Sequence, residues 1–294
     1  MSGREAAIRE PAVAGSFYPS REATLRTLLE ALLAKATELD VRDVPGVAAG
    51  ILVPHAGLVY SGVLAAAGWR SLLSSAGPSP TVIVLGTNHS AWFDGVAVDD
   101  APAWRTPLGD VAIDDELGGR ILELGEPFVA SRQAHRQEHS IEVQLPILRA
   151  LRPAARIVPC SVAAGTGREA VDAGERLGRL AGELRSGGAE VLLVISTDMA
   201  HYPSHEEAVR VTERLVPAIA ALDPASLAAG ERAEADSGAR GMACGMCGIQ
   251  PSVLGLAALR AMGASGGSVV AAATSADAGG PRDRTVGYLA VMFS

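Results

Sequence analysis

Cysteine is scarce in this sequence. Three residues in 294, Cys160, Cys244 and Cys247, are an odd number and too few for a disulfide scaffold. Aromatic residues make up only 4%, so any helix-on-sheet packing must rest on aliphatic side chains, alanine and glycine. No apolar run reaches the roughly 18 residues that a membrane span needs, and the opening MSGREAAIRE holds no apolar segment of a secretory signal. No membrane partner is therefore expected, and the expected location is cytoplasmic. Basic runs are missing too: 25 Lys and Arg against 33 Asp and Glu give a net charge of −8. Nothing is available to neutralise a phosphate backbone, which excludes nucleic acid as an expected partner. What is present is an ordinary globular balance, 48% hydrophobic and 20% charged, with no internal repeat or long linker. Residues 1–294 read as one domain.

Four short apolar runs, Ala48–Val53, Thr81–Leu85, Arg156–Cys160 and Val191–Ile195, read as buried strands of a parallel sheet. Helical patterns separate them. An irregular lead from Arg4 to Pro19, anchored by Phe17 and Tyr18, precedes a helix to about Thr37 that Ser20 is expected to cap. Leu25, Leu28, Leu29, Leu32 and Leu33 give that helix one buried face. Further helices are expected after Tyr60, from Asp114 to about Leu124, over Arg168–Leu184, over Glu206–Leu222 and over Gly248–Met262. Asp223-Pro224 starts a short helix, and Gly230–Gly245 reads as a polar loop. Val96–Val98 and Trp104–Gly109 read as short strands or loop, while Ser268–Ala273 and Thr285–Met292 close the chain as strands. This alternation predicts an α/β fold: one domain with a mostly parallel central sheet and helices on both faces.

In such sheets ligands bind beyond the carboxyl ends of the strands. Five of the six histidines fall at strand ends or helix starts: His55, His89, His139, His201 and His205. His55 follows Pro54, which lacks a backbone donor and stops the first strand. His89 lies in the polar turn Gly86–Ser90 after the second. Each ring either pins its turn or binds a metal; two neutral imidazoles with one anionic ligand make a facial set with open positions. His55 and His89, on loops expected to be neighbours, are the first two candidate ligands. The third is a cysteine of the Cys244-Gly245-Met246-Cys247 motif, where a thiolate at a helix N-terminus has a depressed pKa. The same C-x-x-C also reads as a redox pair or half a zinc site, although no second C-x-x-C completes a zinc ribbon. Asp198 stands three residues before His201, either orienting that imidazole for acid–base work or capping a helix. Glu138 and His139 have a similar supporting arrangement. His135 to His139 also matches the inverted zinc-protease pattern H-x-x-E-H. The segment is polar, however, and apolar periodicity begins only at Ile141, so it reads as the approach to a helix that Pro146 kinks or delays.

At these residues the sequence resembles the MEMO family, including the bacterial members called AmmeMemoRadiSam system protein B. The resemblance is carried by REPAVAGSFYP at 9–19 in part, PHAGLVYSG at 54–62, LGTNHS at 85–90 and RTPLGD at 105–110. It continues through EHSIEVQLP at 138–146, STDMAHY at 196–202 and CGIQP at 247–251. It implies a fold similar to class III extradiol dioxygenases, non-haem iron enzymes that use two histidines, a glutamate and an acid–base histidine. In the family a cysteine stands in place of the glutamate. The resemblance thus implies His55, His89 and Cys247 as metal ligands and His201 as the acid–base residue, with Asp198 and His139 lining the same pocket. Fe(II) is the implied ion, with copper or zinc as alternatives, and a small aromatic or enediol molecule is the implied substrate. Two other functions fit the same residues: a non-catalytic iron- or copper-binding redox or partner-binding protein, and a metal-dependent hydrolase. The family name further implies an association with a radical-SAM protein. Cys244 departs from the simple pattern by adding a thiol three residues before the ligand position, which suggests a disulfide switch.

Overall fold

Continuous apolar runs can lie flat between two layers of helices, and the chain uses them so. The computed structural model describes residues 7–39 and 47–294, so Arg4–Ala6 of the lead lie outside the described residues. The chain runs α1 (Glu22–Glu38), β1 (Gly50–Val53), α2 (Leu58–Leu73), β2 (Thr81–Thr87) and β3 (Val96–Val98). A hairpin, β4 (Ala103–Thr106) and β5 (Gly109–Ala112), leads to α3 (Asp115–Leu122), β6 (Phe128–Ala130) and the single turn α4 (Arg132–His135). A 3₁₀ turn (Glu142–Gln144) passes into α5 (Leu145–Leu151), followed by β7 (Arg156–Val162), α6 (Arg168–Ser186) and β8 (Val191–Ser196). The rest is α7 (His205–Ala220), α8 (Pro224–Asp236), α9 (Ile249–Ala261), β9 (Gly267–Thr274) and β10 (Gly287–Phe293).

Eight strands form one sheet in the order β6-β3-β7-β2-β8-β1-β10-β9. Its centre, β7-β2-β8-β1, is parallel; β3 joins β7, and β10 joins β1 and β9, antiparallel. Alternate side chains feed two cores. Leu85, Ile195 and Val158 pack with Leu177 and Leu254 of α6 and α9 on one face. Ile51, Val84 and Ile157 pack with Leu29, Trp69 and Leu148 of α1, α2 and α5 on the other. The expected α/β domain with a mostly parallel sheet and helices on both faces is what the chain forms. Among the described residues no helix is long and apolar enough to cross a membrane.

Local signals act as their chemistry predicts in most places. Asp114 accepts the Leu117 N–H and caps α3. Asp223 caps α8, with Pro224 in its first turn. Pro146 sits at the start of α5, where its missing donor costs nothing, so it delays that helix. Two expectations are corrected. Ser20 does not cap α1, whose preceding residue is Arg21 without a side-chain cap. The loop expected from Gly230 is helical to Asp236, because the Ala- and Glu-rich run through α8 outweighs a single glycine. The loops bearing His55 and His89 do meet, their rings 5.4 Å apart, although β8 lies between the two strands.

Candidate metal centre

β8, inserted between the two histidine-bearing strands, ends in the groups that orient the His55 side. The first is Ser196 at its end. The Ser196 hydroxyl donates to Ser140 O at 2.6 Å and accepts from Gln144 Nε2 at 2.9 Å. Having one proton, already donated, it meets His55 Nδ1 (3.3 Å) as an acceptor. The His55 ring therefore carries its proton on Nδ1 and keeps a lone pair on Nε2. Burial lowers its pKa to about 4, outweighing the nearby Asp198 carboxylate, so the ring is neutral at pH 7.

His89 is oriented by a different partner. Its Nδ1 lies 2.9 Å from Glu138 Oε1, and a carboxylate only accepts, so Nδ1 is the donor. Glu138 is fully buried. It also accepts the backbone N–H groups of His89 (2.6 Å), His139 (2.9 Å) and Ser140 (3.0 Å). Burial alone would raise its pKa; the bond and charge of His89 with these donors hold it at about 2. His139 stacks on His89 with centroids 4.5 Å apart, and both rings stand edge-on to His55 at 5.5 and 5.4 Å. Burial first, then the charge of His89, lowers the His139 pKa.

Asp198 is the second group from the β8 end, and of the two roles open to it in the sequence it takes one. Its Oδ1 accepts the His55 and Ala56 N–H groups at 2.8 and 3.3 Å, fixing the turn after β1. Its Oδ2 lies 3.7 Å from His201 Nε2, an atom that is buried without a hydrogen-bond partner among the described residues. It does not cap α7, which Ser204 caps. Burial raises the Asp198 pKa, but His55 and His201 together with the backbone donor hold it below the usual carboxylate range.

Cys247 comes from the turn before α9. Its N–H donates to Asp198 O at 3.2 Å, and its Sγ accepts the Asp198 N–H at 3.4 Å and lies 3.2 Å from His55 Nε2. Gly248 follows because a Cβ there would stand 2.4 Å from the Thr197 side chain. The depressed pKa expected of this cysteine is corrected: burial first, then Asp198 and Cys244, push its thiol well above the ordinary value. Cys244 is likewise pushed up, to about 11, chiefly by burial. Its backbone carbonyl accepts the His201 N–H at 3.1 Å, tying the C-x-x-C turn to the β8 end.

The ligand atoms fall into two sets, each within 4.8 Å: His55 with His89 and His139, and His55 with Asp198 and Cys247. His55 belongs to both, while His89 and Cys247 belong to different sets. His201 joins neither set but lines the ≈ 520 Å³ cavity that His55, His89, His139 and Asp198 also line. A neutral buried imidazole, a second imidazole whose Nδ1 is held by a carboxylate and a soft sulfur beside the first suit a transition metal. His205 lies outside, bonded to Thr274 Oγ1 at 2.9 Å. His135 is also elsewhere: it ends α4 and its Nε2 lies 2.9 Å from Ala97 O, so H-x-x-E-H does not form a protease metal site.

Sequence reasoning missed Ser196, Gln144 and Arg9. Gln144 is fully buried and donates to Pro54 O at 2.8 Å, while Trp69 donates to it at 2.9 Å. A polar residue between Val143 and Leu145, in an otherwise apolar helix approach, was the available signal. Arg9 pairs with buried Glu142 and donates to His135 O at 2.9 Å, holding the lead against the segment that carries Glu138 and His139.

A family model described as Memo-like protein matches residues 9–292. Similar proteins include a MEMO1 family protein of Methanopyrus kandleri, 36% identical over 290 residues, covering 97% of this chain and 98% of that one. Another, a MEMO1 family protein of Aquifex aeolicus, is 35% identical over 288 residues, covering 97% and 99%. A crystal structure of an uncharacterized protein from Escherichia coli K12 superposes with a TM-score of 0.56 at 16% identity, over 83% of this chain and 99% of that one. That likeness concerns the fold alone.

Proposed function

The chain belongs to the Memo-like protein family, and from that premise we propose that it is a mononuclear non-haem iron protein with oxygenase-like activity on a small aromatic or enediol substrate. The observation that carries the proposal is the pair of oriented imidazoles: His55 and His89 each have Nδ1 held by a hydrogen-bond partner, which leaves Nε2 as the atom to face an ion. His55, His89 and Cys247 are assigned as the metal ligands. Bound there, Fe(II) supplies the one-electron chemistry that ring or enediol oxygenation requires; copper and zinc suit the same donors.

The remaining residues handle protons. His201 Nε2, without a hydrogen-bond partner among the described residues, takes the proton of a substrate hydroxyl. Asp198 Oδ2 at 3.7 Å stabilises the resulting imidazolium, while Oδ1 keeps the His55 turn in place. His139 covers His89 and closes the wall of the cavity.

The test is anaerobic reconstitution with Fe(II), then metal analysis and oxygen uptake across a panel of small catechols, in wild type, His55→Ala and Cys247→Ser. Stoichiometric iron in wild type, lost in both variants and accompanied by substrate-dependent oxygen uptake, supports the proposal. Iron without uptake leaves a metal-binding redox or partner-binding protein. Zinc-dependent turnover without oxygen consumption would identify a hydrolase. No metal in wild type overturns the assignment.

A further inference from the structure

At the opposite end of the sheet, where the parallel strands begin, lies a second cavity of ≈ 440 Å³, within the roughly 300–1,000 Å³ of small-molecule sites. The ends of α2, α6 and α9 and the starts of β1 and β8 surround it, and no histidine lines it. The chemistry proposed at the other end makes no use of it.

One cation and one anion line this cavity, Arg185 and Glu190. Neither forms an ion pair with any described residue. Arg185 stands in the last turn of α6, where a cation suits the helix dipole. It is half-buried, and burial with no anion to offset it lowers its pKa, although a guanidinium keeps its charge at pH 7. It donates to Val191 O at 2.8 Å and Ala48 O at 3.3 Å. A guanidinium has five N–H groups, so the others have no partner among the described residues. Arg152 is different: it clamps the end of α2 by donating to the carbonyls of Leu73, Ala76, Gly77 and Leu151.

Glu190 accepts the Gly77 N–H at 2.7 Å through Oε1, while its Oε2 has no partner among the described residues. It immediately precedes Val191, whose carbonyl holds Arg185. The two opposite charges therefore stand close together on the cavity, yet unpaired. A simple anion drawn to Arg185 is repelled by Glu190, and a simple cation drawn to Glu190 is repelled by Arg185. A molecule carrying both charges is attracted by both. Buried Ala48 and Leu192 with half-buried Met262 supply an apolar wall beside them.

We propose that this cavity binds a small aliphatic α-amino acid: its carboxylate meets the free N–H groups of Arg185, its ammonium meets Glu190 Oε2, and its side chain lies against Leu192 and Met262.

Titration calorimetry of the full chain at pH 7 tests it with three molecules of similar shape. They are L-leucine, leucinamide, which lacks the carboxylate, and 4-methyl-2-oxopentanoate, which lacks the ammonium. Leucine is expected to bind about tenfold more tightly than either, the difference of one charge-assisted contact. Glu190→Gln keeps an acceptor for the Gly77 N–H and should abolish the preference for leucine over the oxo acid. Arg185→Gln should abolish the preference for leucine over leucinamide. Because Arg185 also ties the starts of β1 and β8, a thermal melt accompanies both variants, and if Arg185→Gln fails to fold, the exposed Glu190→Gln decides. Binding of none of the three, equal affinities, or a leucine preference that survives in Glu190→Gln overturns the proposal. The titration needs no metal, so its result is separate from the fate of the iron assignment.

Discussion

Glu138 is where a single substitution has the largest effect on the centre. Its carboxylate is held at about 2 against an ordinary 4.5, so the native state gains from it above pH 4.5 and loses that gain as the pH falls toward 2. The contribution is on the order of 3 kcal/mol. Glu138→Gln is expected to lower the urea unfolding free energy of the metal-free protein by about 2–4 kcal/mol. It should also flatten the acid limb of stability between pH 4.5 and 2, and a limb unchanged from wild type would refute the assignment. A second consequence concerns Cys247 and His55. With Nδ1 protonated, His55 Nε2 accepts from the Cys247 thiol 3.2 Å away, so a proton occupies the place of the proposed ion. Metal uptake at pH 7 is expected to release about one proton per ion, read with an indicator dye in weak buffer. Cys247→Ser should release none. His55, His89 and His201 were legible one by one, because each follows an apolar run that ends at a turn. Glu138 was legible beside His139, but its bond to His89 was not: the two lie 49 residues apart, a separation that no local pattern reports.

Elements deliver these residues only if they approach closely. Gly174 and Gly178 of α6 face α9 so tightly that a Cβ would stand 2.2 Å from Leu254 O and 2.1 Å from Ala258 O. That contact seats α9, and the turn before α9 carries Cys247. At that turn a Cβ on Gly248 would lie 2.4 Å from Thr197. Gly248→Ala is expected to cost about 1–3 kcal/mol and, by displacing Cys247 from His55, to weaken metal binding in competition with a chromogenic chelator. Wild-type affinity in a folded Gly248→Ala protein would remove Cys247 from the ligand set. The four central strands were readable because two-sided burial leaves continuous aliphatic runs. Their order was not. That β8 separates β1 from β2 depends on contacts between residues some 140 apart, as in the His55 N–H to Asp198 bond. β6, three residues long, has too little pattern to register.

At the scale of the molecule, the beginning and end of the chain both close on its middle. Arg9 pairs with buried Glu142, which also accepts the N–H groups of Ala12 (2.8 Å) and Val13 (3.0 Å) and the Tyr18 hydroxyl. Arg9→Ala leaves that carboxylate buried without its cation, a change expected to cost about 3–5 kcal/mol by calorimetry or urea titration. A loss under 1 kcal/mol would mean that the lead is dispensable. From the other end, β10 supplies the second neighbour of β1, Ile51 lying opposite Met292. Without Gly287–Phe293 the strand that leads to His55 has β8 on one side and an open edge on the other. A chain cut short before Gly287 would leave unpaired that edge of the strand that positions His55.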